Sequence, residues 1–156
     1  MQGHPDVIRA LNQVLYQTLT AINQSFLHAK MLANWGLDEW AGRERKVSIM
    51  VMKHADALAE RILFLEGLPN FQALGKLRIG ERAPEVLTCD LALQHELLDA
   101  TRAGIGECEK VQDFVSRELL TGILDAAEEH LDWLDTQVDL VETIGTRNYL
   151  QSQIED

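Results

Sequence analysis

Apolar residues recur with a 3,4 spacing along most of the chain, the period of α-helices with one buried face. From about Asp6 to Trp35, Ile8, Leu11, Leu15, Thr18, Ile22, Ala29 and Leu32 fall near one face, and Gly36 stops the run. A second run, from about Asp38 to Glu66, carries Val47, Val51, His54, Leu58, Ile62 and Leu65 and ends in GLPN. Between Leu68 and Ala83, LPNFQALGKLRIGERA holds two Gly and a Pro without helical period, and is long enough to run the length of a bundle. Pro84 opens a third run, about 84–111, with Leu87, Leu91, Gln94, Leu98, Thr101, Ile105 and Cys108 on its core face. A fourth, about 113–144, follows a short break near Gln112 with Leu120, Ile123, Ala127, His130, Leu134, Val138 and Val141, and stops at Gly145. The remaining TRNYLQSQIED supplies a short fifth helix over about 147–154. The pattern predicts an all-α, four-helix bundle with one long crossover, folded as a single domain over residues 1–156.

Two further regularities refine this picture. Ile49, Met52, Ala59 and Leu63 form a second apolar stripe on the second helix, about 100° round from the Val51/His54 stripe. A helix apolar on two faces is buried on two sides, so its second face predicts contact with another subunit, two-fold pairing being the commonest form. HADALAERILFLE from His54 also echoes HLDWLDTQVDLVE from His130, an internal repeat that sets the two histidines at similar depth.

Composition narrows the function. The chain has 156 residues, 46% of them apolar and only 6% aromatic, enough for one core and suited to helix over sheet. A net charge of -11 repels phosphate backbones and anionic lipid, so nucleic acid and membranes are not expected partners while metal cations are. No basic segment precedes an apolar one at the start and no apolar run reaches membrane-span length, so a cytoplasmic location is expected. Cys89 and Cys108 fall in one predicted helix about 28 Å apart at the helical rise, too far for a disulfide, and lack metal-ligand spacing.

A dinuclear metal site in a four-helix bundle takes a carboxylate from each of two helices and a Glu-x-x-His pair from each of the other two. Here the pairs read Val51-x-x-His54 and Ala127-x-x-His130, and the other helices offer Thr18 and Gln94 at comparable depth. None of Thr18, Val51, Gln94 and Ala127 supplies the anionic oxygen that two adjacent cations require. Asp56 and Asp132 lie two positions past the histidines, and Asp125, Glu128 and Glu129 are rotated away. His54 and His130 therefore read as neutral core histidines hydrogen-bonded to Gln94 or Thr18. Met52 reads as core filler from periodicity alone; facing a two-fold axis, it would offer one soft axial ligand per subunit to a haem.

AINQ at 21–24, FLHAK at 26–30, NWGL at 34–37, MKHAD at 52–56, ERILFLEGLPN at 60–70, LGKLRIGE at 74–81, DLAL at 90–93, VSREL at 115–119, EEHLDWL at 128–134 and NYLQSQI at 148–154 together make the chain resemble a bacterioferritin along nearly its whole length. The resemblance implies a 24-subunit shell around an iron mineral, haem b shared between two subunits, and a ferroxidase centre in each bundle. Met52 matches the haem axial-ligand position, and Leu19, Ile22, Asn23, Phe26, Ile49, Lys53 and Asp56 match positions flanking the haem. His54 and His130 match the two ferroxidase histidines, but Thr18, Val51, Gln94 and Ala127 replace all four Glu. Ser25 stands where many members have Tyr, and Lys46 and Met50 replace a His and an Asp of the inner surface. Asn148 and Gln151 match four-fold pore positions; Glu66, Asp132 and Asp139 match acidic side-pore positions, where Asn34 replaces a frequent Asp. The resemblance thus implies a haem-carrying, ferroxidase-deficient subunit that assembles with a ferroxidase-competent one, takes electrons from a ferredoxin and releases stored iron. The alternatives are an active ferroxidase with an altered site and a purely structural cage subunit.

Overall fold

Each periodic run folds as a helix in the computed structural model, which describes residues 1–154. The elements are α1 (Pro5–Asn34), α2 (Asp38–Phe64), α3 (Ala83–Lys110), α4 (Phe114–Ile144) and α5 (Thr146–Ser152). The predicted ends differ by at most two residues, the largest differences being at the ends of α2, which stops at Phe64 and not at residue 66, and of α5, which stops at Ser152 and not at residue 154. α3 begins at Ala83, so Pro84 sits at the second helical position, still in the first turn where a missing N–H costs nothing. α1 packs along α2 and α3, and α3 along α4, whereas the backbones of α2 and α4 stand farther apart and meet through the long side chains of Arg43 and Arg61.

The main core joins Leu11, Leu15, Leu58, Ile62, Leu98, Leu120 and Ile123, each at most 2% exposed and each contributing about 1.5–3 kcal/mol of burial. Val7 and Val14 are fully buried and Ile8 and Ile22 only partly, because α1 is covered by the crossover as well as by the bundle. A second cluster closes one end, where α5 returns Tyr149 against Trp40 in an edge-on contact at 5.8 Å. The Tyr149 hydroxyl donates to Gln137 Oε1 at 2.9 Å.

Three helices end in the same turn. At α1, Gly36 and Leu37 donate back to the carbonyls of Ala33 and Leu32; at α2, Glu66 and Gly67 donate to Leu63 and Ile62; at α3, Gln112 and Asp113 donate to Glu109 and Cys108. The turn needs a left-handed residue, supplied by Gly36 at φ +82° but by Glu66 at φ +65° and Gln112 at φ +60°. Asp113 then caps α4 by accepting from the Ser116 N–H at 3.0 Å, and its carboxylate also takes Arg61 of α2 at 3.0 Å.

The crossover is fastened to one polar edge of α1. Asn12 Oδ1 accepts from the Asn70 N–H at 2.9 Å, Thr20 Oγ1 from Gly75 at 2.8 Å, Gln24 Oε1 from Arg78 at 3.0 Å and His28 Nε2 from Gly80 at 3.1 Å. Spacings of eight, four and four keep these side chains on one face, so an irregular strand finds a regular row of acceptors. Gly80 fits because a Cβ there would come within 2.6 Å of the Val86 nitrogen.

Gln112→Gly is expected to stabilise the fold by about 1 kcal/mol by removing the left-handed strain, and Gly80→Ala to destabilise it. Urea unfolding midpoints of the two variants, moving in opposite directions from wild type, check both.

Candidate functional site

The positions expected to hold two metals surround a cavity of about 20 Å³, room for one or two waters, walled by Val51, His54, Gln94, Ala127 and His130 among others. Thr18 is buried but is not part of that wall; its hydroxyl donates to the Val14 carbonyl at 2.8 Å, one turn back on its own helix. Gln94 Nε2 donates to the Ala127 carbonyl at 3.0 Å. The expected hydrogen bonds from Gln94 or Thr18 to the histidines are therefore absent, because both side chains are taken by backbone carbonyls. Ser25 likewise donates to Ala21 at 2.6 Å.

His130 is buried on the inner face of α4, stacked on Trp133 of the same helix with ring centroids 5.9 Å apart, and Arg43 of α2 lies 4.5 Å over the same indole. The Arg43 guanidinium approaches His130 Nδ1 at 3.4 Å. Burial, and then this positive charge, hold the His130 pKa down at about 4. His54 is half-buried, not at equal depth, and burial lowers its pKa too. Two imidazoles with lowered pKa values, four positions without an anion and a guanidinium at hand give these six positions nothing of their own to offset the repulsion between two cations.

The cavity is nevertheless not free of anions, contrary to the sequence reading: Glu44 and Asp90 line it from α2 and α3. Asp90 Oδ1 accepts from His28 Nδ1 at 2.8 Å and from Gln24 Nε2 at 3.0 Å. Burial pushes Asp90 up, but its hydrogen bonds to Glu44, His28 and Gln24 outweigh that and hold it below the usual carboxylate range. Glu44 is driven the other way, its pKa raised well above the usual carboxylate value by burial and by the Asp90 charge. Glu44, Val47 and Val51 share a 3,4 register and Asp90 and Gln94 an i,i+4 one, so the same periodicity that located the emptied site contained these acids.

On the outer side of α2, Met52 is 52% exposed, Ile49 48% and Leu63 60%, and α1 adds Phe26 at 53%. Ile22 is half-buried beside them, Leu19 lies in the core beneath, and Asn23, Lys53 and Asp56 are exposed. An apolar stripe with a thioether at its centre suits a flat, apolar group with a metal that takes a soft axial ligand. Asn34, Glu66, Asp132, Asp139, Asn148 and Gln151 are all exposed, with Asn148 Nδ2 donating to the Ile144 carbonyl at 2.8 Å. No described helix is long and apolar enough to cross a membrane.

Residues 8–144 match the model of the ferritin-like domain. The bacterioferritin of Mycobacterium leprae is 47% identical over 149 residues, covering 96% of this chain and 94% of its own length. Those of Brucella melitensis and Streptomyces coelicolor are each 42% identical, over 97% and 99% of this chain and 94% and 93% of theirs. The four-helix bundle with a crossover and a short fifth helix is that of a ferritin-like protein, and the chain belongs to the bacterioferritin family.

Because His130 keeps a pKa of about 4 in the fold against an ordinary 6.5, the folded chain binds fewer protons than the unfolded one between those values. Its contribution is complete above pH 6.5 and is lost as the pH falls to about 4, amounting to about 3 kcal/mol. Stability measured against pH should therefore fall less steeply through that window in His130→Gln than in wild type.

Proposed function

We propose that this chain is a haem-carrying, ferroxidase-deficient subunit of an iron-storing shell, assembled with a ferroxidase-competent bacterioferritin subunit and serving iron release. What supports this reading is the division of α2: its outer face presents Met52 among exposed apolar side chains, while its inner face has Val51 where a dinuclear centre needs a carboxylate. Haem b bound at the outer face of two copies would supply one-electron transfer. Met52 from each copy offers a thioether as the axial donor, and Ile22, Phe26 and Ile49 supply an apolar bed that excludes water. Asn23, Lys53 and Asp56 give that bed a polar margin, with Leu19 packed beneath it. Asn148 and Gln151, and the group Asn34, Glu66, Asp132 and Asp139, are exposed as pore-lining residues must be, and the net charge of -11 favours cations over anions near the shell. A ferredoxin as the electron source and a cytoplasmic location belong to the same reading.

One observation favours an active, altered ferroxidase as the second reading: Glu44 and Asp90 share the cavity with His54 and His130. Purified homomer reconstituted with haem decides between the two. The expected result is a haem spectrum that disappears in Met52→Leu, with ferrous iron oxidised no faster than in buffer. Rapid, saturable, oxygen-dependent oxidation abolished by His54→Ala would establish the second reading, and a protein colourless after reconstitution would leave a structural cage subunit.

A further inference from the structure

Three carboxylate oxygens in the middle of the bundle accept from no donor outside their own pair: both of Glu44, and Oδ2 of Asp90, so only a proton or a cation between the two carboxyl groups can serve them. Glu44 is 1% exposed and Asp90 8%, and both face the cavity of about 20 Å³. A buried acceptor left unpaired costs about 1–3 kcal/mol, and more when it is charged. Three on adjoining side chains call for an occupant.

The surrounding hydrogen bonds show which atoms are available to it. One nitrogen of His28 and one oxygen each of Glu44 and Asp90 lie within 4.8 Å of one another. His28 is nevertheless spoken for at both ring nitrogens: Nε2 accepts from the Gly80 N–H, which puts the ring proton on Nδ1, and Nδ1 donates to Asp90 Oδ1. Gln24 donates to that same oxygen while its own carbonyl oxygen holds the Arg78 N–H. Both donors thus gather on one oxygen of Asp90 and leave the other bare, beside a Glu44 whose two oxygens are bare as well. An imidazole that orients a carboxylate in this way is the arrangement found around metal ligands rather than at them.

We propose that Glu44 and Asp90 bind a single divalent cation of the hard, manganese(II)- or iron(II)-like class, with His28 and Gln24 as positioning residues. Two carboxylates match a double positive charge, so the occupied site is neutral and its burial far less costly. The oxygens of Glu44 and Asp90 form a set that selects hard cations, with the imidazoles of His54 and His130 outside that cluster on the cavity wall, and the cavity has room for a small cation in place of its water. Calcium, which takes six to eight oxygens, asks more than the pocket offers. This site uses none of the four emptied carboxylate positions and does not depend on the haem reading.

Mn²⁺ titrated into assembled, demetallated protein, with free Mn²⁺ followed by its electron paramagnetic resonance signal, tests the proposal. Wild type and His54→Ala should each hold one equivalent per chain more than Glu44→Gln or Asp90→Asn, beyond the weak binding common to all surface acids. Trp40, buried beside Glu44, should lose fluorescence in wild type as that one equivalent binds, which keeps the test decisive even if the variants fail to assemble. Equal stoichiometry in wild type and Glu44→Gln, or no saturable quenching in wild type, means that the two carboxyl groups share only a proton, and overturns the site.

Discussion

Asp90 is buried where an unanswered carboxylate would cost several kcal/mol, and much of the bundle is arranged to answer it. Gln24 and His28 are one turn apart on α1, each with one polar atom on Asp90 and the other on a crossover N–H, at Arg78 and Gly80. Through these two side chains a charge on α3 fixes α1 to α3 and draws the irregular segment down onto both. The same two bonds settle the His28 tautomer, since a nitrogen that accepts from Gly80 cannot also carry the proton. Gly80 must be glycine for the approach to occur, so the backbone, the tautomer and the buried charge form one mutually dependent unit.

α2 separates two environments. Its inner stripe, Val47, Val51, Leu58 and Ile62, is buried, and its outer stripe, Ile49, Met52 and Leu63, stands in the open on the single chain. Large exposed apolar side chains aligned on one helix are a standing cost in water, and they make sense only where another surface covers them. The backbones of α2 and α4 stand farther apart than those of the other packed pairs, and side chains from α1 to α4 wall a small cavity between them. One helix thus borders both a buried polar pocket and an apolar surface, and substitutions at Val51 and at Met52, adjacent in sequence, act on different chemistry.

Periodicity located the helices, the crossover and both faces of α2, because a buried stripe repeats many times and averages out local exceptions. It placed His54 and His130 on the wall of one cavity but misjudged their surroundings. Hydrogen-bond partners are set by side-chain reach, and Thr18 and Gln94 found carbonyls nearer than any imidazole. Arg43 was invisible as the neighbour of His130, since a contact across 87 positions leaves no local pattern. Glu44 and Asp90 were passed over for a different reason: a charged residue at a core register reads as a helix-surface residue until its partners are known, and those partners sit on α1 and the crossover. The helix ends near Glu66 and Gln112 were placed, but not the left-handed backbone of those two residues, since neither is the glycine that such a turn prefers.

The four positions proposed to stand in place of carboxylates bear on stability as much as on chemistry. Four glutamates around a vacant dinuclear centre would repel one another and stay ionised only at large desolvation cost, so such a subunit leans on its metal. With Thr18, Val51, Gln94 and Ala127 in their place, two positions pack as apolar core and two close hydrogen bonds onto nearby carbonyls. Arg43, which a filled centre would repel, lies against Trp133 and His130, and His130 is kept neutral by burial and that charge. The bundle is therefore self-sufficient at the level of these four positions. The electrostatic debt that it does carry lies at Glu44 and Asp90, where one carboxyl must take up a proton or both must share a cation.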